Sequence, residues 1–288
     1  MKPIALMILS LFLITLTACG NDSLDNRVYT QGLGISGGEN FTLTFQRFED
    51  VNSHTIHAET LSEAMQKQEA NNGGEIFTGH TELLCIDKSH TLPYVKELFY
   101  QQWISPSCKV IFTNPEEFLQ NYDCTQMVHT IRMAEENSIL PITDLSTVLN
   151  EWLGMGETAL LPVPAGKLPA LVLMRQNGDV LRLSEEAIRG MYWLRETGTK
   201  EISYQGENIS VKIIRLEKQY ENETLCYHLA VNISDNPSEV QKLIRSDCEK
   251  AIAEMRSFGA DVIGIQEAMQ QQNLDTIPEI SVKVHAFT

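Results

Sequence analysis

Positive charge is scarce in this chain: 22 Lys and Arg stand against 38 Asp and Glu, a formal net charge of −16. A surface this acidic repels phosphate backbones, which excludes nucleic acid as a partner class. It also excludes adhesion to anionic lipid through a basic patch. Catalytic signatures are missing as well. There is no nucleophile elbow, phosphate-binding loop or dinucleotide fingerprint, and Gly32-x-Gly34 after Tyr29 is only a fragment of one. No Cys-x-x-Cys occurs, so neither a zinc site nor a thioredoxin-type site is signalled. His54 and His57 lie three apart and His80 lies five before Cys85, but no third and fourth ligand stands at a sensible spacing. Carboxylates are too many for any pair to be singled out as acid and base. The reading is therefore a non-enzymatic protein with no metal, no cofactor and no assigned ligand-binding residue. No internal repeat or low-complexity tract is present.

Long apolar runs are absent too, with one exception at the very start. Ile4 to Leu16 is almost entirely apolar, behind the single charge of Lys2. That stretch is short for a spanning helix, which needs ~20 residues. It ends in Leu16-Thr17-Ala18-Cys19, which resembles the bacterial lipobox: Leu, two small residues, then Cys. Small side chains before the cut suit signal-peptidase pockets, and the Cys thiol receives a diacylglycerol. Residues 1–18 are expected to be a lipoprotein signal peptide and Cys19 the lipidated residue. Removing the leader takes away Lys2 alone, leaving 21 basic against 38 acidic residues, −17 net. Two or three acyl chains, each buried methylene adding ~0.8 kcal/mol, anchor a protein stably. Polar residues 19–26 read as a tether.

With Cys19 lipidated, Cys85, Cys108, Cys124, Cys226 and Cys248 remain, an odd number. Disulfides are allowed outside the cytoplasm, but Cys85 and Cys108 sit in apolar strand-like runs, so core packing is the expected role.

The composition, 43% apolar and 21% charged over 288 residues, is that of a folded chain of about two domains by a length prior of ~150 residues each. Phe41, Leu43 and Phe45 alternate with polar residues as a half-buried strand. Thr60-x-x-Glu63 is a capping box, and Asn71-Asn72-Gly73-Gly74 stops the helix it starts. Strands at Glu82–Asp87 and Lys109–Thr113 alternate with helices opened by Pro93 and by Asn114-Pro115-Glu116-Glu117. Residues 27–123 are thus expected to form a mixed α/β domain. Residues 124–166 read as a helical middle region and linker, because three Pro and three Gly fall between Gly154 and Pro169. Residues 167–288 read as a C-terminal α+β domain: an antiparallel sheet with long helices. Its signals are a hairpin around Asn177-Gly178, a helix capped by Ser184, two alternating strands, and a long helix opened by Asn236-Pro237. That helix buries Val240, Leu243, Ile244, Cys248, Ala251, Ile252 and Met255, with Asp247 the one polar intruder. The overall fold class expected is α+β, multidomain.

Taken together, four segments resemble the Ger(x)C family, the lipoprotein C subunit of spore germinant receptors. The first is the lipobox with Gly32-Leu33-Gly34-Ile35. The second is Thr60-Leu61-Ser62-Glu63-Ala64 followed by Phe77-Thr78-Gly79-His80 and an apolar strand through Ile86. The third is the hairpin from Ala170 to Glu186. The fourth is the long helix ending at Phe258-Gly259-Ala260-Asp261-Val262-Ile263-Gly264-Ile265. The family's Trp-Asp after the lipid Cys is replaced by Gly20-Asn21-Asp22, and the Asp of its Gly-Ile-Asp turn is Ser36. The resemblance implies three small domains and a receptor subunit on the outer face of the spore inner membrane. It also implies two polytopic membrane subunits of the same receptor as partners, one of them transporter-like. His80 and Asp261 are expected to sit in turns, hydrogen-bonding backbone groups. The competing reading is a free-standing extracytoplasmic solute-binding or envelope lipoprotein.

Overall fold

The computed structural model describes residues 27–37, 41–48, 52–88, 91–137, 139–164, 170–195 and 197–287. Cys19, the leader and the tether lie outside the described residues.

Strands β1 (Val28–Ser36), β2 (Phe41–Arg47), β3 (Ser53–Ala58), β5 (Leu83–Ile86) and β6 (Lys109–Phe112) form one sheet in the order β3-β2-β1-β5-β6. The two-residue β4 (Ile76–Phe77) pairs with the start of β1. β1, β2 and β3 run antiparallel, whereas β5 and β6 run parallel to β1. Helices α1 (Leu61–Asn72), α2 (Leu92–Tyr100), α3 (Pro115–Asn121) and α4 (Cys124–Glu136) cover its two faces. All four residues of β5 are buried, as a parallel central strand requires. Leu84 and Ile86 pack with Val95 and Leu98 of α2. Leu83 and Cys85 face the other way, onto Phe118, Leu119 and Val128.

The helix starts follow their sequence signals. Thr60 accepts the Glu63 amide at 3.1 Å, and the Glu63 carboxylate accepts from the amide of Glu59, one residue earlier than the standard capping box. Asn114 accepts the Glu117 amide at 3.2 Å. Strand β1 escapes the alternation pattern because Gly32 and Gly34 interrupt it. Their role is steric: a Cβ on Gly32 would overlap Cys124 Sγ, and one on Gly34 would stand 2.6 Å from Pro115 Cβ. The glycine pair lets α3 and α4 seat directly on the strand.

The middle region is a correction. Helix α5 (Leu145–Leu153) is present, but 158–163 is strand β7 (Thr158–Val163), not linker. It pairs antiparallel with β8 (Ala170–Arg175), which pairs with β9 (Val180–Arg182), in a three-stranded sheet. Pro162 is tolerated because β7 is an edge strand, where the missing N–H breaks no ladder. Alternation makes this sheet a shared wall: Ala159, Leu161, Val172 and Met174 join the N-terminal core, while Leu160, Leu171 and Leu173 join the C-terminal one. An expected boundary at 166/167 thus cuts through a sheet.

Helix α6 (Glu185–Arg195) leads into β10 (Gly198–Tyr204), β11 (Glu207–Glu221) and β12 (Thr224–Ile233); then come α7 (Pro237–Phe258), α8 (Ile265–Gln271) and β13 (Glu279–Phe287). The sheet order is β10-β11-β12-β13, with α6 and α7 packed into its core. The expected antiparallel sheet is mixed: β13 runs parallel to β12. The reason is the 22-residue α7, which carries the chain back along the sheet before β13 begins. The helix at 237 starts without the expected cap, since Asn236 is left-handed (φ 48°) and its side chain makes no capping bond. All five described cysteines are free and buried. Among the described residues no helix is long and apolar enough to cross a membrane. The chain is an α+β protein of several sheet-centred units.

Candidate functional site

Asp261 does what its turn context predicts. Its carboxylate accepts amide hydrogens from Ile263 at 3.3 Å, Ile265 at 2.9 Å and Gln266 at 2.6 Å, capping α8. His80 sits in a turn, as expected, closed by the Thr81 amide donating to the Thr78 carbonyl at 2.9 Å. Its ring meets Phe77 edge-on at 5.1 Å and lies tilted at 5.9 Å from Tyr29, so aromatic contacts fix it. His54 and His57 are both exposed on β3, an outer strand of the sheet.

A cleft of about 880 Å³ lies in the C-terminal unit, between α6, α7 and β10. Ile188 and Trp193 of α6, Ile202 of β10 and Leu243 of α7 line it with apolar surface. Its charged members are Arg182, Glu185, Arg189, Lys200, Glu201 and Asp247. Arg189 holds Asp247 with two parallel hydrogen bonds, Nε to Oδ2 at 2.9 Å and Nη2 to Oδ1 at 2.8 Å. This explains the polar intruder on the apolar face of α7. It also raises the Arg189 pKa through the bond to Asp247. The two helices touch at Gly190, where a Cβ would overlap the Asp247 carbonyl. Lys200 is 4% exposed, with Nζ 4.3 Å from the Tyr192 ring and 4.9 Å from the Trp193 ring. Burial lowers its pKa to about 8, helped by the charge of Arg189 and opposed by Asp247. Neither Lys200 Nζ nor Trp193 Nε1 has a hydrogen-bond partner. Ser184, at the mouth, donates to Glu254 at 2.7 Å and accepts from the Ala187 amide, so it caps α6. The cleft thus combines apolar walls with charges of both signs, and Arg189 in it is already paired with Asp247.

A second cluster lies on the outer face of the C-terminal sheet, where no sequence spacing announced it. Glu221 ends β11, Cys226 and His228 lie two apart on β12, and their ligand atoms all fall within 4.8 Å of one another. His228 Nε2 is 3.5 Å from Glu221 Oε1, and His228 Nδ1 is 3.3 Å from His285 Nε2 on β13. The two imidazoles are stacked, 5.6 Å apart and 2° from parallel. Lys283 donates to Glu221 at 2.7 Å, and Ser281 Oγ is 3.1 Å from Cys226 Sγ. The histidines weighed from sequence spacing, His54, His57 and His80, are not members of this cluster. The available signal was the alternation of Leu225, Tyr227 and Leu229, which turns Cys226 and His228 to the opposite face.

Comparison with known proteins supplies the family. The family model described as the spore germination protein N-terminal domain matches residues 21–164, half of the chain. A solved structure, the crystal structure of the GerBC protein, shares the fold at a TM-score of 0.50 and 11% identity, covering 88% of this chain and 95% of that one. A search of curated proteins gives no match. The matched N-terminal domain, the shared fold over nearly the whole length and the segments read from the sequence agree: the chain belongs to the Ger(x)C family of spore germination proteins.

Proposed function

We propose that the chain is the non-enzymatic C subunit of a nutrient germinant receptor. It is held on the outer face of the spore inner membrane by acyl chains on Cys19 and works beside two polytopic membrane subunits of that receptor. The observation that carries this is the family match, which opens at residue 21, two residues after the lipobox cysteine. The charge supports covalent anchoring, because a net −16 leaves no electrostatic route to anionic lipid. Anchoring confines the search for membrane partners to two dimensions and raises their effective concentration. The domain organisation fits three small units: the N-terminal sandwich, the shared middle sheet with α5, and the C-terminal sheet with α6 and α7.

A second reading, a free-standing extracytoplasmic solute-binding or envelope lipoprotein, draws on the 880 Å³ cleft. Gene neighbourhood separates the two: adjacent genes for two polytopic subunits favour the receptor, and a transporter operon favours the solute binder. Anchoring itself is tested by Cys19→Ala. The parent labels with palmitate and sediments with membranes, and the variant does neither. A variant that still labels and sediments contradicts the anchor.

A further inference from the structure

We infer that Glu221, Cys226 and His228 form a binding site for a zinc-type divalent cation on the outer face of the C-terminal sheet, with His285 as its supporting residue. The chemistry of the set selects the ion: one thiolate, one imidazole and one carboxylate are the borderline-soft mixture that zinc takes, whereas calcium and magnesium require all-oxygen ligands. Bound in this way, a divalent ion is neutralised by the two anionic ligands. The Cys226 thiol gives up its proton to solvent as the metal–sulfur bond forms.

The geometry is nearly formed. Metal–ligand lengths of about 2.0–2.3 Å place tetrahedral ligand atoms roughly 3.3–3.6 Å apart. The His228 Nε2 to Glu221 Oε1 separation is already 3.5 Å. The widest separation is at most 4.8 Å, and Glu221 has freedom to adjust, since it stands beside the hairpin turn and its side chain is 38% exposed. That turn is Asn222-Glu223, both left-handed at φ 48° and 64°.

Two independent features point to a ligand here. His228 Nε2 is buried and makes only a long, 3.5 Å approach to Glu221 Oε1, within the group of ligand atoms. Its opposite nitrogen is engaged by His285, the arrangement that fixes ring orientation and tautomer in a metal-ligating imidazole. Lys283 is a cation already drawn to the same carboxylate, and its side chain is 46% exposed, free to swing into solvent as the metal enters. Lys283 therefore competes with the metal and sets its affinity.

The test is titration of the purified full chain with Co²⁺, followed by zinc competition. The expected result is one equivalent giving the thiolate-to-cobalt charge-transfer band and the visible bands of a tetrahedral site, both bleached by zinc. Cys226→Ser removes the charge-transfer band, and His228→Ala abolishes stoichiometric binding. His285→Ala weakens binding by about 10- to 100-fold. Lys283→Met, which removes no ligand and leaves the sheet intact, tightens it. Absence of the tetrahedral spectrum in the parent overturns the site, as does a spectrum that survives both ligand substitutions. A Lys283→Met chain that binds no more tightly than the parent overturns the competition.

Discussion

Arg189 on α6 grips Asp247 on α7 through both carboxylate oxygens, while the adjacent Gly190 lets the two helix backbones touch. Asp247 is 2% exposed, so its charge has no water to fall back on. Removing one partner of such a pair leaves an uncompensated buried charge and costs about 3–5 kcal/mol. Arg189→Met is expected to destabilise by roughly 3 kcal/mol, the lower end, because the guanidinium is itself 34% exposed. The double change Arg189→Met with Asp247→Leu recovers most of that loss. Urea denaturation of the four chains of this cycle measures the coupling; additive losses contradict the pairing.

Lys200 gives the same region a pH signature. Its pKa is about 8 when folded and 10.5 when free. At pH 7 both states carry the proton, and the folded state bears the full burial penalty, up to about 3 kcal/mol. Between pH 8 and 10.5 the folded chain sheds the proton while the unfolded chain keeps it, so this group makes stability rise with pH across that window. Lys200→Met is expected to stabilise by roughly 1–3 kcal/mol at pH 7, less what the ring contacts contribute. The advantage shrinks toward pH 10.5. Denaturant midpoints at pH 7 and pH 10 check this, and an equal advantage at both contradicts it.

Gly32 supports Cys124 from beneath. With no room for a Cβ, Gly32→Ala pushes the start of α4 off the sheet, at about 1–3 kcal/mol. Trimming the obstacle with Cys124→Ala makes room for the new methyl. The double variant is then less damaged than the sum of the singles, a non-additivity expected of residues in contact. Thermal unfolding of the singles and the double reads it; strict additivity contradicts the contact.

Local grammar was legible in the sequence wherever one segment decides its own fate. Thr60 and Asn114 cap as their spacing says, the Asn177-Gly178 hairpin forms, and Asp261 caps α8. What failed depends on partners distant in sequence. Strand β1 is hidden by glycines whose reason lies in Cys124 and Pro115, roughly ninety residues on. Strand β7 is hidden by Pro162, acceptable only because the strand lies at an edge. The parallel run of β13 follows from the reach of α7. The Glu221, Cys226, His228 and His285 cluster needs three strands in register before its ligands meet. Asp247 was visible as an anomaly on its helix, but its explanation, Arg189, sits 58 residues away.

The central claim is that this chain is a working subunit of a nutrient germinant receptor. Spores from a strain with an in-frame deletion of the gene, assayed on single nutrients, test it most directly. The expected result is loss of the response to at least one nutrient, restored by the parent chain and not by Cys19→Ala. Unchanged germination on every nutrient contradicts the account.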